Sequence, residues 1–147
     1  MSITFRYLHI RRKDGTLKEA PYIPVFLRNK DNKLIRLAGL LDSGADNTIV
    51  PEDLAKILGL KEEKNSEDET KGIGGKVRTA KSRLHLRVKN ERESYILEIP
   101  VLILKDDSSN VPLLLGRQGF FEHFDITFRQ NEKKIVLKKA NKKKYYK

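Results

Sequence analysis

The chain contains no cysteine, which excludes disulfides, thiolate nucleophiles and Cys-ligated zinc. Its three histidines, His9, His85 and His123, lack metal-ligand spacing. His85, on the face opposite Leu84 and Leu86 and beside Arg83 and Arg87, reads as a solvated side chain. No apolar run approaches the length of a membrane span, and the opening MSITFRYLHIRRKDG has neither the apolar core nor the small-residue cleavage site of a secretory signal. These absences lead us to expect a soluble, cytoplasmic protein, with no membrane contact, no metal and no cofactor.

Length and charge bound the rest. At 147 residues the chain suits one domain with its own core. The formal charge of +11 is unevenly placed: residues 133–147, KKIVLKKANKKKYYK, hold eight lysines and no acid, so the first 132 residues carry 23 basic and 20 acidic groups, a net of +3. A body over residues 1–137 and a lysine-rich tail over 138–147 are therefore expected. Such a tail is either a solvated terminus or a contact for nucleic acid or another anionic partner.

Most of the pattern is strand. ITFRYLHI (Ile3 to Ile10) alternates apolar and polar residues and runs into an Asp14-Gly15 hairpin turn. APYIPVFL and KLIRLAGLL follow, separated by Asn29 to Asn32. Pro51, Glu52 and Asp53, then Leu54, Ile57 and Leu58 on one face, and Gly59 predict a two-turn helix. Residues 61–71, KEEKNSEDETK, are polar enough to predict an exposed loop. SRLHLRVK, YILEIPVLIL and VPLLLG predict further strands, RQGFFEHF a short helix, and FDITF with KKIVLKK a closing hairpin. About nine strands and two short helices describe an all-β barrel or sandwich.

One stretch runs against this pattern. In GLLDSGADNTIV, Asp42 follows Leu40 and Leu41 where a strand enters the core, and a carboxylate there is costly unless hydrogen-bonded, paired or protonated. Asp-Ser-Gly is also ordinary turn chemistry, and the tripeptide alone is weak. Its setting is more specific: a glycine-rich Gly72-Ile73-Gly74-Gly75 follows, and then LLLGR, ending in Gly116 and Arg117. The glycines precede no Lys-Ser/Thr and open no helix, which argues against a phosphate loop. Ser43 lacks the elbow and the histidine of a serine nucleophile. The acidic run from Glu62 to Glu69 lacks the glycine of a calcium loop.

In this order the three segments resemble the retropepsin-like aspartic proteases, over roughly residues 20–137. The resemblance implies a closed six-stranded acid-protease barrel with one or two short helices. It implies Asp42 as the catalytic carboxylate, Ser43 as the hydroxyl bracing the active-site loops across a dimer, and Gly44 as the backbone that admits substrate. Ala45, Asp46 and Asn47 then border the substrate, with Asn47 where many relatives have a second acid. The segment from Lys71 to Val77, within about 70–79, is expected to be the flap, with Gly72, Ile73, Gly74 and Gly75 over the bound peptide. Gly116 and Arg117 support the loop from beneath, with an Arg117–Asp46 ion pair expected to be structural and partly buried.

The chemistry needs two carboxylates: adjacent acids share one proton, the ionised one activates water, and the protonated one polarises the scissile carbonyl. The sequence holds a single Asp-Ser-Gly, so the enzyme reading entails a homodimer cleaving an extended peptide. The competing reading is an inactive module of the same fold that binds nucleic acid or an acidic partner through its tail.

Overall fold

A computed structural model describes residues 1–72, 75–106 and 111–141. Its strands are β1 (Ser2–Arg6), β2 (Leu8–Arg11), β3 (Leu17–Ala20), β4 (Tyr22–Arg28), β5 (Leu34–Leu41), β6 (Ile49–Pro51), β7 (Asp68–Gly72), β8 (Gly75–Lys89), β9 (Ser94–Leu104), β10 (Leu113–Leu115), β11 (Phe124–Arg129) and β12 (Lys134–Lys139). One helix, α1 (Glu52–Leu58), follows β6.

Six strands close on themselves. The order β4-β5-β10-β6-β9-β8 returns to β4 through the pair Phe26↔Arg87, and β7 lies outside as the hairpin partner of β8. This is the expected all-β, six-stranded closed sheet. Period-two alternation builds its interior: Ile23, Val25 and Leu27 of β4, Leu84, Leu86 and Val88 of β8, and Leu97, Ile99, Val101 and Ile103 of β9 all face inward and are buried. A second sheet, β1-β12-β11, adds Ile3, Ile135 and Leu137 to the same core. Phe120, fully buried, stacks at 5.2 Å between ring centroids on Phe124 where the two sheets meet. Fully burying each such side chain contributes about 1.5–3 kcal/mol.

The helix forms where its caps dictate. Pro51 is the N-cap, Gly59 takes the left-handed conformation at φ 67°, and its N–H closes the last turn on Lys56. Ala55 and Leu58 are its buried contacts. No helix among the described residues is long and apolar enough to cross a membrane.

Four expectations need correction. The run from Ile3 to Ile10 is not one strand: at Tyr7 the chain leaves the β1 sheet, its N–H going to the Lys133 carbonyl and its hydroxyl to Gln130. The polar run 61–71 becomes strand β7 from Asp68 onward, paired to β8 along its backbone, with Glu69 3.9 Å from Lys76 across the pair. RQGFFEHF makes only a 3₁₀ turn over Phe121–His123, because Gly119 at φ 89° interrupts it and Arg117 and Gln118 give their N–H groups to Ala45 and Asp46. The closing hairpin of FDITF and KKIVLKK forms as expected, with Lys138 and Lys139 ending β12 opposite Ser2 and Phe124. The split of Ile3–Ile10 into β1 and β2, with β3, β6 and β7 as further strands, gives the described residues twelve strands rather than about nine.

Candidate active site

Asp42 stands at the end of two parallel strands. Leu113, Leu114 and Leu115 of β10 pair with Gly39, Leu40 and Leu41 of β5, and the Asp42 N–H continues that ladder to the Leu115 carbonyl at 3.0 Å. Immediately beyond, the chain turns. The Asp42 carbonyl accepts the Ala45 N–H at 3.2 Å, and its Oδ1 accepts the Gly44 N–H at 3.0 Å. The side chain is thereby oriented by its own turn. Asp42 is half-buried while Ser43 and Gly44 are exposed, so water and a second chain can reach the carboxylate.

The segment after β10 holds this loop from below. Arg117 N–H donates to the Ala45 carbonyl at 3.0 Å and Gln118 N–H to the Asp46 carbonyl at 2.9 Å. Gly116 lies so close that a Cβ there would sit 2.2 Å from the Asn47 carbonyl oxygen. Only glycine fits, and the reason is contact rather than an unusual φ.

Thr48 completes the tie and was not singled out in the sequence. Fully buried, it accepts the Gly116 N–H on Oγ1 at 3.2 Å, donates its hydroxyl to the Gln118 carbonyl at 3.1 Å, and receives the Leu102 N–H on its own carbonyl at 2.9 Å. One residue thus joins the loop to residues 116–118 through its side chain and to β9 through its backbone carbonyl. The only signal was a hydroxyl standing just before the apolar Ile49-Val50.

Arg117 and Asp46 form the expected ion pair. Their side chains are 54% and 73% exposed in the single chain, which corrects the expectation of partial burial. Asp42, Ser43, Gly44, Ala45, Asp46, Asn47, Gly116 and Arg117 are therefore gathered in one place by the structure. Gly72 and Gly75 pair with each other at the end of the β7–β8 hairpin, and Gly75 has φ 115°. Ile73 and Gly74 lie outside the described residues. Among those residues, no hydrogen bond joins the hairpin to the Asp42 loop.

The base of that hairpin is a charge cluster. Arg78 makes two hydrogen bonds to Asp106, at 2.5 and 3.1 Å, and its carbonyl accepts the Lys105 N–H at 2.9 Å. The Lys105 ammonium pairs with Glu62 and lies 3.8 Å from Glu52 and 3.9 Å from Glu67. The hydrogen bond from Arg78 holds the Asp106 carboxyl below the usual aspartate range, and the one to Glu62 raises the Lys105 ammonium above the usual lysine range. These bonds fasten α1, the loop before β7, β8 and the end of β9 to one another.

The described residues contain no group of three or more His, Asp or Glu able to hold a metal. The arrangement offers one oriented carboxylate on a backbone-braced loop beside two strand ends.

A family model described as aspartyl protease matches residues 31–118, from the turn before β5 to the Gln118 tie. The chain belongs to the aspartyl protease family, of the retroviral type that its sequence resembles. Among solved structures it is similar to the EIAV protease complexed with the inhibitor HBY-793, at 22% identity over 68% of this chain and 84% of that one, with a TM-score of 0.46. No curated protein matches it.

Proposed function

We propose that this chain is an aspartic endopeptidase active as a homodimer, in which Asp42 of each copy supplies one carboxylate of a shared dyad. The observation carrying this reading is the Asp42 loop: an accessible carboxylate, oriented by Gly44 and locked to residues 115–118, in a chain of the aspartyl protease family. A single copy offers one such acid, and the chemistry needs two about 3 Å apart across a two-fold axis.

In that dyad one carboxylate is ionised and takes a proton from water as the water oxygen bonds to the scissile carbonyl carbon. The protonated partner hydrogen-bonds the carbonyl oxygen as charge develops there. Collapse of the tetrahedral intermediate breaks the C–N bond, and a proton passes to the departing amine. The protons belong to the pair rather than to either residue. The exposed Arg117–Asp46 pair and Ser43 lie around the acid, where a second copy would cover them. The β7–β8 hairpin is the element suited to close over an extended peptide and exclude water.

The test is replacement of Asp42 by Asn. Peptide cleavage falls at least about a thousandfold, while the dimer mass in sedimentation is unchanged. Re-equilibrating wild-type protein with an equal amount of the variant lowers activity to about half, since half of the wild-type protomers then pair with an inactive copy. Undiminished cleavage by the variant would rule out the assignment. Absence of cleavage by both proteins would instead leave the lysine-rich end as the functional feature, to be tested by salt-sensitive nucleic-acid binding before and after removal of residues 142–147.

A further inference from the structure

Strand β8 meets several partners along the edge turned away from β9. β7 pairs with Gly75–Thr79, and the loop before β7 reaches Lys81, whose carbonyl accepts the Glu63 N–H at 2.8 Å and whose N–H donates to Ser66 Oγ at 3.0 Å. β4 then pairs at Arg87. Backbone direction alternates along a strand, so the N–H and C=O groups of Arg83 and His85 point to the same side as those of Lys81 and Arg87. Among the described residues, no strand is paired with them there. The β4–β8 ladder consists of Phe26↔Arg87 and does not extend to Arg28 and His85, where the strands part.

The parting opens a cavity of about 380 Å³. Its floor is the core itself, Leu27, Leu58, Leu84 and Leu86, and its rim carries Leu34 and Ile96, 52% and 67% exposed. Arg28, His85 and Arg87 also line it, and no acid among the described residues does. The nearby Glu98 is already held by Arg83 at 2.8 Å, with His85 at 3.9 Å.

We propose that this seam is a docking groove for an extended segment of a partner polypeptide, with apolar side chains at alternate positions between acidic residues. Three observations choose that occupant. Unpaired strand backbone suits an added strand, an apolar floor suits every second side chain, and a rim of positive charge suits flanking carboxylates. None of the lining residues belongs to the Asp42 loop or to the segment beneath it, so the groove stands whether or not the chain cleaves peptides.

The probe is the peptide Asp-Glu-Leu-Thr-Val-Thr-Leu-Asp-Glu, added to the full chain carrying Asp42→Asn so that no cleavage intervenes. Backbone amide spectra are expected to shift at Arg28, Arg83 and His85, and hydrogen exchange at the His85 N–H to slow at least about tenfold. The double variant Arg28→Glu with Arg87→Glu, at two exposed positions, is expected to weaken binding about tenfold or more without altering the circular dichroism spectrum. The proposal is overturned by shifts confined to residues 42–48, by equal binding of a lysine-flanked peptide, or by no binding at about 1 mM. It is also overturned if the groove proves to hold a second copy, seen as peptide-free self-association that Ile96→Asp abolishes.

Discussion

The Asp42 loop and the base of the β7–β8 hairpin are fastened by opposite means. Backbone hydrogen bonds to residues 115–118, a buried threonine hydroxyl and a glycine in hard contact hold the loop. Charged side chains hold the base of the hairpin: Arg78 with Asp106, half open to water, and the more enclosed Lys105 among three glutamates. The proposed dyad requires a carboxylate placed within a fraction of an ångström, which calls for the first kind of support. The hairpin, proposed to close over a peptide, is better served by the second, because a half-exposed ion pair such as Arg78–Asp106 breaks and re-forms at little cost.

The contrast can be broken most forcefully at Gly116. Gly116→Ala forces a methyl into the Asn47 carbonyl and is expected to cost about 3 kcal/mol or more, read as a fall of about 10 °C in the melting midpoint. A melting point unchanged within error would mean that the contact is not rigid. Thr48→Val comes next: it keeps the shape but leaves the Gly116 N–H and the Gln118 carbonyl without their partner, a loss of about 1–3 kcal/mol in denaturant titration. Hydrogen exchange would show the loss spreading across residues 42–48 and 115–118, and loss confined to position 48 would contradict the bridging role.

The smallest effect is expected at the hairpin, and pH reveals it. The Asp106 carboxyl titrates lower in the folded chain than in the unfolded one, so its pairing with Arg78 contributes in full above the unfolded value. The contribution is lost as pH falls through the depressed folded value. Acidification below about pH 4 should therefore lower amide protection, measured against the intrinsic exchange rate at each pH, around Arg78 and Lys105 before it affects the Asp42 loop. Protection lost in both regions together would erase the distinction.

The same contrast explains what could be read in advance. Asp42 was legible because a carboxylate after two leucines conflicts with its surroundings, and conflict between local pattern and burial marks a site. The helix was legible because proline and glycine bound it. Thr48 was not, since a threonine before Ile49-Val50 fits a strand by propensity, and its three long-range bonds exist only after β9 and β10 have come together. Strand β7 was hidden for a different reason. Its DETKG sequence has no apolar face to alternate, and its place comes from backbone pairing with β8. Tyr7 likewise gave no sign that the chain changes sheets there, because its N–H partner, Lys133, is remote in sequence.

The crossover between β5 and β10 also has a consequence for the newborn chain. Among the described residues, the backbone bonds that Asp42, Ala45 and Asp46 make outside their own loop go to residues 115–118, some seventy positions later than the acid they steady. A ribosome therefore releases the loop long before its scaffold exists, and long-range parallel pairing is slow to form. The carboxylate is set in place only once residues 115–118 have emerged, so a nascent polypeptide truncated before them carries Asp42 without the means to aim it.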